Sequence, residues 1–425
     1  MSINGHAEKN NLKVLGILIR SERINKGFSL RDLGQLTNIS HTLISNIEKG
    51  KQVPAPDTLA DIFKFLDLEF YDNIELSNEF KNKSKEVYDY LFNQEYEEAY
   101  NIFKKLEKNE DKYVRSLDVV KYILLKCFYY TLANEQKLMV EENLTHYEKV
   151  LEFFNDEQIQ MFHFIKGLHN LNEEHYNIAT ECFYEALALG NKDLDVFINE
   201  YNIISLVRQY KFIDAFRLAQ EVIKEFEDRT IYVRAMKTKL QVARILYNIA
   251  KNDETEELVE YVNRFAVKFN VVELIEECAM LRAAIQIRLK NFDKAQELIS
   301  TMPNQQGVTA VLLKFKIAFL QEDEAELEKL YNEISKFEQV TSHKKVWLYL
   351  QVQAMSKIES LYNKEQYIKN INELVDISVS NMDQEMIGLA HNYLIMYYHE
   401  ERSYKKALEI AENLLHLKKI RIEND

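Results

Sequence analysis

The chain has 425 residues, more than one hydrophobic core usually serves, so we expect at least two domains or one domain followed by a repeat array. Only three prolines and nine glycines occur, which favours an almost entirely helical protein. Three widely spaced cysteines, Cys127, Cys182 and Cys278, argue against a disulfide framework or a Cys-rich metal site and favour a reducing compartment. The apolar run VLGILI is too short for a signal peptide or a membrane span, so we expect a cytoplasmic protein.

The net charge of -14 is distributed unevenly along the chain. Residues 1–67 contain nine Lys and Arg against seven Asp and Glu, a balance of +2, whereas the remaining residues contain 45 against 61, a balance of -16. Only the N-terminal segment therefore escapes the acidity that would repel nucleic acid. An excess of +2 is weak evidence for DNA binding, so the prediction of DNA binding depends on the motif within this segment.

The N-terminal segment predicts four short helices, each marked by its own start or stop residue. The predicted spans are a first helix from Leu15 to Ile24 that Gly27 stops, Leu30–Thr37 capped by Ser29, His41–Lys49 capped by Ser40 and ended by Gly50, and a fourth opened by Pro56 and Asp57 that runs to about Leu66.

Between the second and third helices only Asn38, Ile39 and Ser40 remain. So short a turn between two steeply crossing helices needs a residue at positive φ, which Asn tolerates best after glycine. The close crossing also needs a small residue on the second helix, and Gly34 supplies it. The sequence therefore predicts a helix-turn-helix.

The stretch IRSERINKGFSLRDLGQLTNISHTLISNIEKGKQVPAPDTLADIFKFLDL resembles the five-helix DNA-binding domain of the phage-repressor, or XRE, family over roughly residues 12–70. The shared features are an Arg-x-x-Arg in the first helix, Ser29, an I-S-x-I-E-x-G ending, and a Pro followed by a Leu-rich helix. Family members more often carry Ala where this chain has Gly34 and Gly where it has Asn38. The resemblance implies a lambda-repressor-like fold, with an ion pair between Arg23 and Glu48.

Geometry and this resemblance together imply the roles of the polar residues. The third helix is expected to enter the major groove by its N-terminal half, and Asn46 is the strongest candidate because Asn pairs bidentately with adenine. Plain solvent exposure is the alternative for each side chain. The candidate base readers are His41, Thr42, Ser45 and Asn46, and the candidate phosphate contacts are Ser29, Arg31, Ser40, Lys49 and Lys51.

From about residue 78 onward an internal repeat is present, in which an aromatic residue is followed three positions later by Ala at the start of an amphipathic helix. The repeat predicts about nine helix pairs of 36 to 40 residues each and resembles a divergent tetratricopeptide repeat, which implies a right-handed superhelix with an inner groove. The anchors are Tyr96/Ala99, Tyr176/Ala179, Phe212/Ala215, Phe292/Ala295 and Tyr404/Ala407, with degenerate copies near Asn134, Glu254, Glu324 and Tyr367.

No motif for catalysis, a cofactor or a metal is present in the sequence. His163, His169 and His175 recur every six residues, whereas two metal ligands on one helix need a spacing of three or four. We therefore expect these histidines to lie on the surface or in the seams between repeats, and we expect no enzyme, cofactor or metal site.

The combination of an XRE domain and such an array resembles the peptide-responsive regulators of low-GC Gram-positive bacteria, the RRNPP group of Rap, Rgg, NprR, PlcR and PrgX. This resemblance implies a DNA-binding domain over residues 1–70, a linker over 71–82 and an array over 83–425 that binds a short signalling peptide and dimerises. It also implies a homodimer on inverted or repeated operator half-sites. The length and the high content of Lys, Asn and Ile are similar to those of the clostridial RstA type, a regulator of sporulation and toxin genes.

Related receptors hold the peptide backbone with Asn and Arg side chains, and the resemblance implies a comparable set here. An outer-face position is the alternative for each, because a shift of one residue in repeat register rotates a helix position by about 100°. Three functions stay open: a peptide-gated quorum-sensing regulator, a repressor whose array only dimerises or binds a partner protein, and a Rap-like inhibitor of a signalling protein. The groove candidates are Asn199, Asn202, Arg244, Arg282, Gln286 and Asn392.

Overall fold

A computed structural model describes residues 5–71, 73–189, 192–341, 343–381 and 383–424. Throughout these ranges the chain forms α-helices and two short 3-10 helices, with no strand, as the composition predicts. Contacts divide the chain into an N-terminal unit, residues 1–174 with 178–198, and a C-terminal unit, residues 175–177 with 199–425. None of the described helices is long and apolar enough to cross a membrane.

The N-terminal unit begins with four helices whose apolar faces share one core. Leu33, Ile44 and Ile62 are completely buried in it, one from each of the last three helices. The second and third helices follow the predicted spans, except that Lys49 caps the third rather than ending it. The four are α1 (Gly5–Asn25), α2 (Leu30–Thr37), α3 (His41–Glu48) and α4 (Pro56–Leu66).

Local hydrogen bonds fix where α2 and α3 begin. The Ser29 hydroxyl accepts a bond of 3.2 Å from the Asp32 amide, and the Asp32 carboxylate accepts one of 2.7 Å from the Ser29 amide. Hydrogen bonding of the Asp32 carboxylate to the Ser29 side chain and to the Ser29 amide holds the pKa of this carboxyl below its usual value. The Ser40 hydroxyl accepts from the Leu43 amide at 3.2 Å, so both predicted caps are present.

The turn between α2 and α3 has the predicted backbone. Asn38 has φ 56° and ψ 30°, in the left-handed region, and its amide donates to the carbonyl of Gly34. The chain can therefore leave α2 and enter α3 within three residues, which sets the crossing of the two helices.

The other long helices in the described ranges fall into nine consecutive pairs, each with a first and a second helix. Two short helices, α7 (Glu110–Tyr113) and α20 (Glu338–Thr341), and the 3-10 helices Leu151–Phe153 and Glu359–Leu361 lie between or within pairs. The pairs are α5 (Ile74–Asn93) with α6 (Tyr96–Glu107), α8 (Val119–Leu132) with α9 (Lys137–Glu148), α10 (Asp156–Asn172) with α11 (Tyr176–Leu187), α12 (Lys192–Arg208) with α13 (Phe212–Asp228), α14 (Tyr232–Asn248) with α15 (Asn252–Phe269), α16 (Val272–Arg288) with α17 (Phe292–Ser300), α18 (Val308–Gln321) with α19 (Glu324–Ile334), α21 (Lys344–Lys357) with α22 (Lys364–Ser380), and α23 (Gln384–Glu400) with α24 (Tyr404–Asn424).

The aromatic and Ala anchors mark the second helices. Each of the five aromatic anchors is the first residue of its helix, and the second helices start 32 to 41 residues apart. The position three residues later is buried in all nine described pairs, including the degenerate copies, so the anchor marks where the second helix packs closely. Those positions are Ala99, Val140, Ala179, Ala215, Thr255, Ala295, Leu327, Tyr367 and Ala407.

Most turns within a pair contain a residue at positive φ, which the sequence does not signal. At Ala250, φ is 62°, and the amide of the following Lys251 donates to the Leu246 carbonyl at 2.9 Å. The same helix-ending turn recurs two residues before seven of the described second helices, always without glycine or asparagine. The residues are Gln94, Glu174, Tyr210, Ala250, Lys290, Glu322 and Arg402.

The segment predicted as a linker, 71–82, is helical from Ile74 onward. The segment predicted as a linker therefore contains the start of α5, the first helix of the first pair. The DNA-binding helices also contact the array, because the Tyr71 amide donates to the Arg115 carbonyl at 2.9 Å. Two exposed ion pairs accompany this bond, Arg115 with Glu69 at 2.6 Å and Arg20 with Glu152 at 2.7 Å.

Candidate DNA interface and repeat groove

One face of α3 is polar and accessible. His41 and Thr42 are exposed at its N-terminus, and Ser45 and Asn46 are half-buried one turn further on, whereas Ile44 faces the core. Residues three and four positions apart on a helix lie on the same side. The four candidate base readers therefore share one face, which a major groove can accommodate.

The candidate phosphate contacts surround this face. Arg31, Lys49 and Lys51 are exposed. Ser29 and Ser40 are exposed at the N-termini of α2 and α3, where the free backbone amides of a helix favour an anion. The hydroxyls of both serines already accept cap bonds. A phosphate at either position would therefore be bound by the backbone amides of the helix N-terminus more than by the serine side chain.

A cavity of about 460 Å³ lies at the turn, lined among others by Arg31, Gln35, Asn38 and His41. Gln35 is exposed one turn after Arg31 on α2, and the sequence analysis overlooked it. Its spacing of four from a candidate phosphate contact was the available signal. Gln35 therefore joins the candidate DNA contacts.

Arg23 and Glu48 form the expected ion pair, buried between α1 and the end of α3. The Arg23 Nε lies 2.6 Å from Glu48 Oε1, and Nη2 lies 2.9 Å from Oε2. The third nitrogen, Nη1, donates to the Phe28 carbonyl at 2.7 Å. A single guanidinium thus ties the recognition helix to α1 and to the start of α2.

Two glycines permit close approach around α3. A Cβ on Gly16 would lie 2.2 Å from the Glu48 carbonyl oxygen, so any side chain there would push α1 off the end of α3. A Cβ on Gly34 would lie 2.8 Å from the Ile39 carbonyl oxygen. The Ala that family members carry at this position would therefore require a small shift of the turn.

In the C-terminal unit, two of the predicted groove residues form ion pairs with other helices of the array. Arg244 pairs with Glu277 of the next first helix, at 3.0 Å. Arg282 instead pairs with Glu260 at 3.2 Å, on the second helix α15. Asn199 is half-buried on α12.

Burial removes two candidates from the groove. Asn202 is 0% exposed, and its amide makes no hydrogen bond to the described residues. Gln286 is 2% exposed and donates to Glu256 at 3.2 Å. Neither side chain could reach a peptide without rearrangement of the helices, so the prediction for Asn202 and Gln286 is corrected. Their places in the helix pattern gave no sign of which side faces a neighbouring helix.

Ion pairs connect successive first helices of the C-terminal unit. Arg234 on α14 and Glu200 on α12 are both buried and paired, and Lys237 pairs with Glu273 of α16 at 2.7 Å. Burial raises the pKa of the Glu200 carboxyl against the opposing attraction of Arg234. Desolvation of Glu200 therefore outweighs the attraction of Arg234. Removal of one partner should destabilise the protein, whereas the intact pair contributes little net stability.

Two residues distant in sequence lie close together within the C-terminal unit. The buried Lys345, on the first helix of the eighth pair, forms an ion pair with Asp383 and lies 5.9 Å from the ring centre of Tyr176, in the third. The Tyr176 carbonyl accepts bonds from Ser205 at 2.6 Å and from Gln209 at 3.0 Å. The start of α11 is therefore bound by α12 and lies beside Lys345 of α21.

The three histidines, expected on the surface or between repeats, are all partly buried, and His163 lies between the two helices of one pair. His163 is half-buried and lies 2.7 Å from a carboxylate oxygen of Glu185, and burial is the main reason why its pKa lies below the usual value. Among the described residues, no three His, Cys, Asp or Glu side chains are grouped so that they could hold a metal ion.

Residues 19–72 match the family model described as helix-turn-helix. No curated protein matches the chain by sequence. Among solved structures, a Rap protein complexed with competence and sporulation factor matches with a TM-score of 0.66 and 12% identity, covering 82% of this chain and 100% of that chain.

Two structures of NprR are similar as well. NprR in complex with its cognate peptide NprX has a TM-score of 0.63 and 14% identity over 82% of this chain and 100% of that chain. The apo form of the quorum sensor NprR from B. thuringiensis has a TM-score of 0.57 and 12% identity over 81% of this chain and 99% of that chain. The chain thus has a helix-turn-helix domain at residues 19–72, and its helical fold is similar to those of the Rap and NprR structures.

Proposed function

We propose that this protein is a transcriptional regulator that binds operator DNA through α3 and is gated by a short signalling peptide bound to its array. The observation that carries the DNA-binding part is the accessible polar face of α3, which the Arg23–Glu48 pair holds in a fixed orientation. Such a regulator acts in the cytoplasm. The RstA type, with control of sporulation and toxin genes, is the finer form of this proposal and rests on length and composition.

Mobility-shift assays with selected duplexes test the base readers. Asn46→Ala is expected to cost about 1 to 3 kcal/mol on the preferred operator and to relax its sequence preference, since one bidentate base contact is lost. An unchanged footprint would show that Asn46 does not read a base.

Arg31→Ala and Lys51→Ala are the matched controls, because both side chains are exposed outside the reading face. They are expected to weaken binding to all sequences alike and to reduce the salt dependence by about one counterion each. If they relax sequence preference as much as Asn46→Ala does, the division between readers and phosphate contacts is wrong.

We propose further that two copies bind two operator half-sites, because a single helix-turn-helix reads only a few base pairs. The array supplies the dimer contact in this proposal. Deletion of residues 1–70 should therefore leave a dimer in light scattering. A monomer from that deletion, beside a dimeric full-length protein, would place the contact in the DNA-binding domain.

The peptide part of the proposal is supported by the similar fold of NprR in complex with its cognate peptide. Asn199, Arg244, Arg282 and Asn392 remain the proposed contacts. A peptide can shift the protein between two shapes only by its differential affinity for them, and thermodynamic linkage requires operator DNA to change peptide affinity by the same factor. Isothermal titration with and without operator checks this, and equal affinities would exclude gating.

Two alternatives share the fold. In one, the array binds a partner protein or only dimerises, and in the other the chain inhibits a signalling protein as a Rap protein would. Native mass spectrometry of freshly purified protein separates them from the main proposal. A co-purified peptide supports gating, whereas a co-purified protein supports the alternatives.

A further inference from the structure

The N-terminal unit contains a cavity of about 340 Å³ between the first helices of the first four pairs. One face of α5 forms its longest side, and the starts of α8, α10 and α12 complete it. Its volume is at the lower end of the range of sites that hold small molecules. The proposed peptide contacts Asn199, Arg244, Arg282 and Asn392 belong to the other unit, so this cavity is a separate candidate site.

Apolar side chains form the wall of this cavity. Phe80, Tyr88 and Phe92 are spaced eight and four residues apart on α5, so they share one face of that helix. Phe92 packs on Phe197 of α12 with 4.4 Å between the ring centres, and Phe80 is buried. Burial raises the pKa of the Tyr88 phenol, which therefore stays neutral. The wall thus fits the apolar part of a ligand.

Charged side chains of both signs line the same cavity. Lys121 on α8 and Glu157 in the first turn of α10 are exposed, and neither forms an ion pair with any of the described residues. Because the two do not pair with each other, a ligand can lie between them and contact both. Asp193, at the start of α12, adds a second carboxylate. The lining therefore offers one ammonium group and two carboxylates beside an apolar wall.

This combination restricts the chemistry of the ligand. A phosphate or another multiply anionic group would meet two carboxylates for one ammonium, and a purely apolar ligand would leave the charged groups without a partner. A zwitterion with an apolar side chain satisfies every part of the lining, since its carboxylate matches Lys121 and its ammonium matches Glu157. Free α-amino acids with large apolar side chains have this chemistry.

We propose that this cavity binds a free α-amino acid with a large apolar side chain, whose carboxylate pairs with Lys121 and whose ammonium pairs with Glu157. The side chain of the ligand lies against the α5 face of Phe80, Tyr88 and Phe92. This inference goes beyond the proposed function, because it adds a small-molecule ligand and does not depend on the signalling peptide. The bound amino acid connects four successive first helices and therefore stabilises the folded N-terminal unit.

Isothermal titration of the full-length protein with single L-amino acids tests the ligand class. At least one of leucine, isoleucine, methionine, phenylalanine and tyrosine is expected to bind and to raise the midpoint of thermal unfolding with its concentration, whereas glycine, aspartate and lysine should do neither. Absence of binding by all five apolar amino acids would overturn the proposal.

Two analogues of the best amino acid test the zwitterion. The amide lacks the carboxylate and the deaminated acid lacks the ammonium, so each should bind at least about tenfold more weakly through the loss of one charge-assisted contact. The amide also resembles the N-terminal residue of a peptide. Equal binding of the amide would assign the cavity to a chain terminus instead of a free amino acid, and equal binding of the deaminated acid would exclude the role of Glu157.

Variants of the lining locate the site. Lys121→Met keeps the length of the side chain but removes its charge, and it should weaken binding of the amino acid about tenfold. Lys105→Met is the matched control, because Lys105 is an exposed lysine of α6 that forms no ion pair with the described residues, and its affinity should equal that of the wild type. Unchanged affinity in Lys121→Met would show that the amino acid binds elsewhere.

Ser84→Trp fills the cavity from α5 and should abolish binding. Ser300→Trp is its control, since the hydroxyls of Ser84 and Ser300 both donate to the carbonyl three residues earlier and Ser300 is exposed on α17. Circular dichroism checks that Ser84→Trp folds, and if it does not, Lys121→Met at its exposed position decides. A folded Ser84→Trp with wild-type affinity would overturn the proposal.

Discussion

The DNA-binding domain and the array hold their helices by different means. In the DNA-binding domain, α2 and α3 begin at serine caps and are joined through an asparagine that tolerates positive φ. In the array, α6, α13 and α15 begin without any side-chain cap, and the preceding turns place Gln, Tyr or Ala at positive φ. Side-chain caps also begin α5, α10, α19, α22 and α23, so the contrast holds for the turns before α6, α13 and α15 and not for every helix of the array.

Buried ion pairs show the same difference. Arg23–Glu48 connects helices within one small domain, so it orients a single reading surface. Arg234–Glu200 connects successive repeats, so it sets how one pair lies on the next. Loss of the Arg23–Glu48 pair should therefore destabilise only the DNA-binding domain. Loss of the Arg234–Glu200 pair should destabilise further repeats along the array, since each repeat depends on its neighbours.

The largest expected effect is the loss of one partner from the buried pair in the array. Arg234→Met leaves the Glu200 carboxylate buried without its cation and should lower the free energy of unfolding by about 3 to 5 kcal/mol. Urea unfolding followed by circular dichroism measures it. The double variant Glu200→Leu with Arg234→Met should recover most of the loss, because desolvation of both charges is then avoided. A double variant as unstable as the single one would show that the pair is a net stabiliser.

The same change in the DNA-binding domain should cost somewhat less and remain local. Arg23→Met is expected to destabilise α1 to α4 by about 3 kcal/mol, at the lower end of the range for a broken buried pair, and to abolish operator binding. Hydrogen exchange should show faster exchange in α3 and unchanged protection in α14 and α16. Increased exchange along the array would contradict the local character of this pair.

A smaller effect is expected at the turn of the helix-turn-helix. Asn38→Val places a β-branched residue at φ 56° and should cost about 2 kcal/mol. Asn38→Gly, the matched control, keeps the left-handed backbone accessible and should differ little from wild type in thermal unfolding. Equal losses from both variants would mean that the Asn38 side chain, not its backbone, is what matters.

The smallest expected effect is a gain in the array. Ala250→Gly relieves the strain of a side chain at φ 62° but adds freedom to the unfolded chain, so the net stabilisation should be about 0.5 kcal/mol. The midpoint of urea unfolding measures this change. Destabilisation by the glycine would show that the Ala250 methyl group contributes packing.

The predictability of the two regions follows from these differences. Ser29, Ser40 and Asn38 act on their immediate neighbours, so the sequence alone predicts the spans of α2 and α3 and the turn between them. The aromatic and Ala anchors predict the starts of second helices for the same reason, since the Ala position is buried in each pair, whereas the aromatic rings of Tyr96 and Tyr404 are exposed.

The groove could not be predicted in this way. Whether Asn202 or Gln286 faces a neighbouring helix depends on how successive pairs rotate, and this rotation is set by contacts between residues about one repeat apart. The turns at Tyr210 and Lys290 escaped prediction because their residue types carry no preference for positive φ. The helix α5 was not predicted within the expected linker, because a helix and a polar linker can share the same composition.

The contact of Lys345 with Tyr176 also has a consequence for biosynthesis. Repeat proteins usually build their structure from short-range contacts, so pairs can form as they leave the ribosome. The contact between Tyr176 and Lys345, however, cannot form until the eighth pair has been synthesised. A nascent chain stalled before Lys345 would therefore contain the Tyr176 ring without the cation that later lies over it.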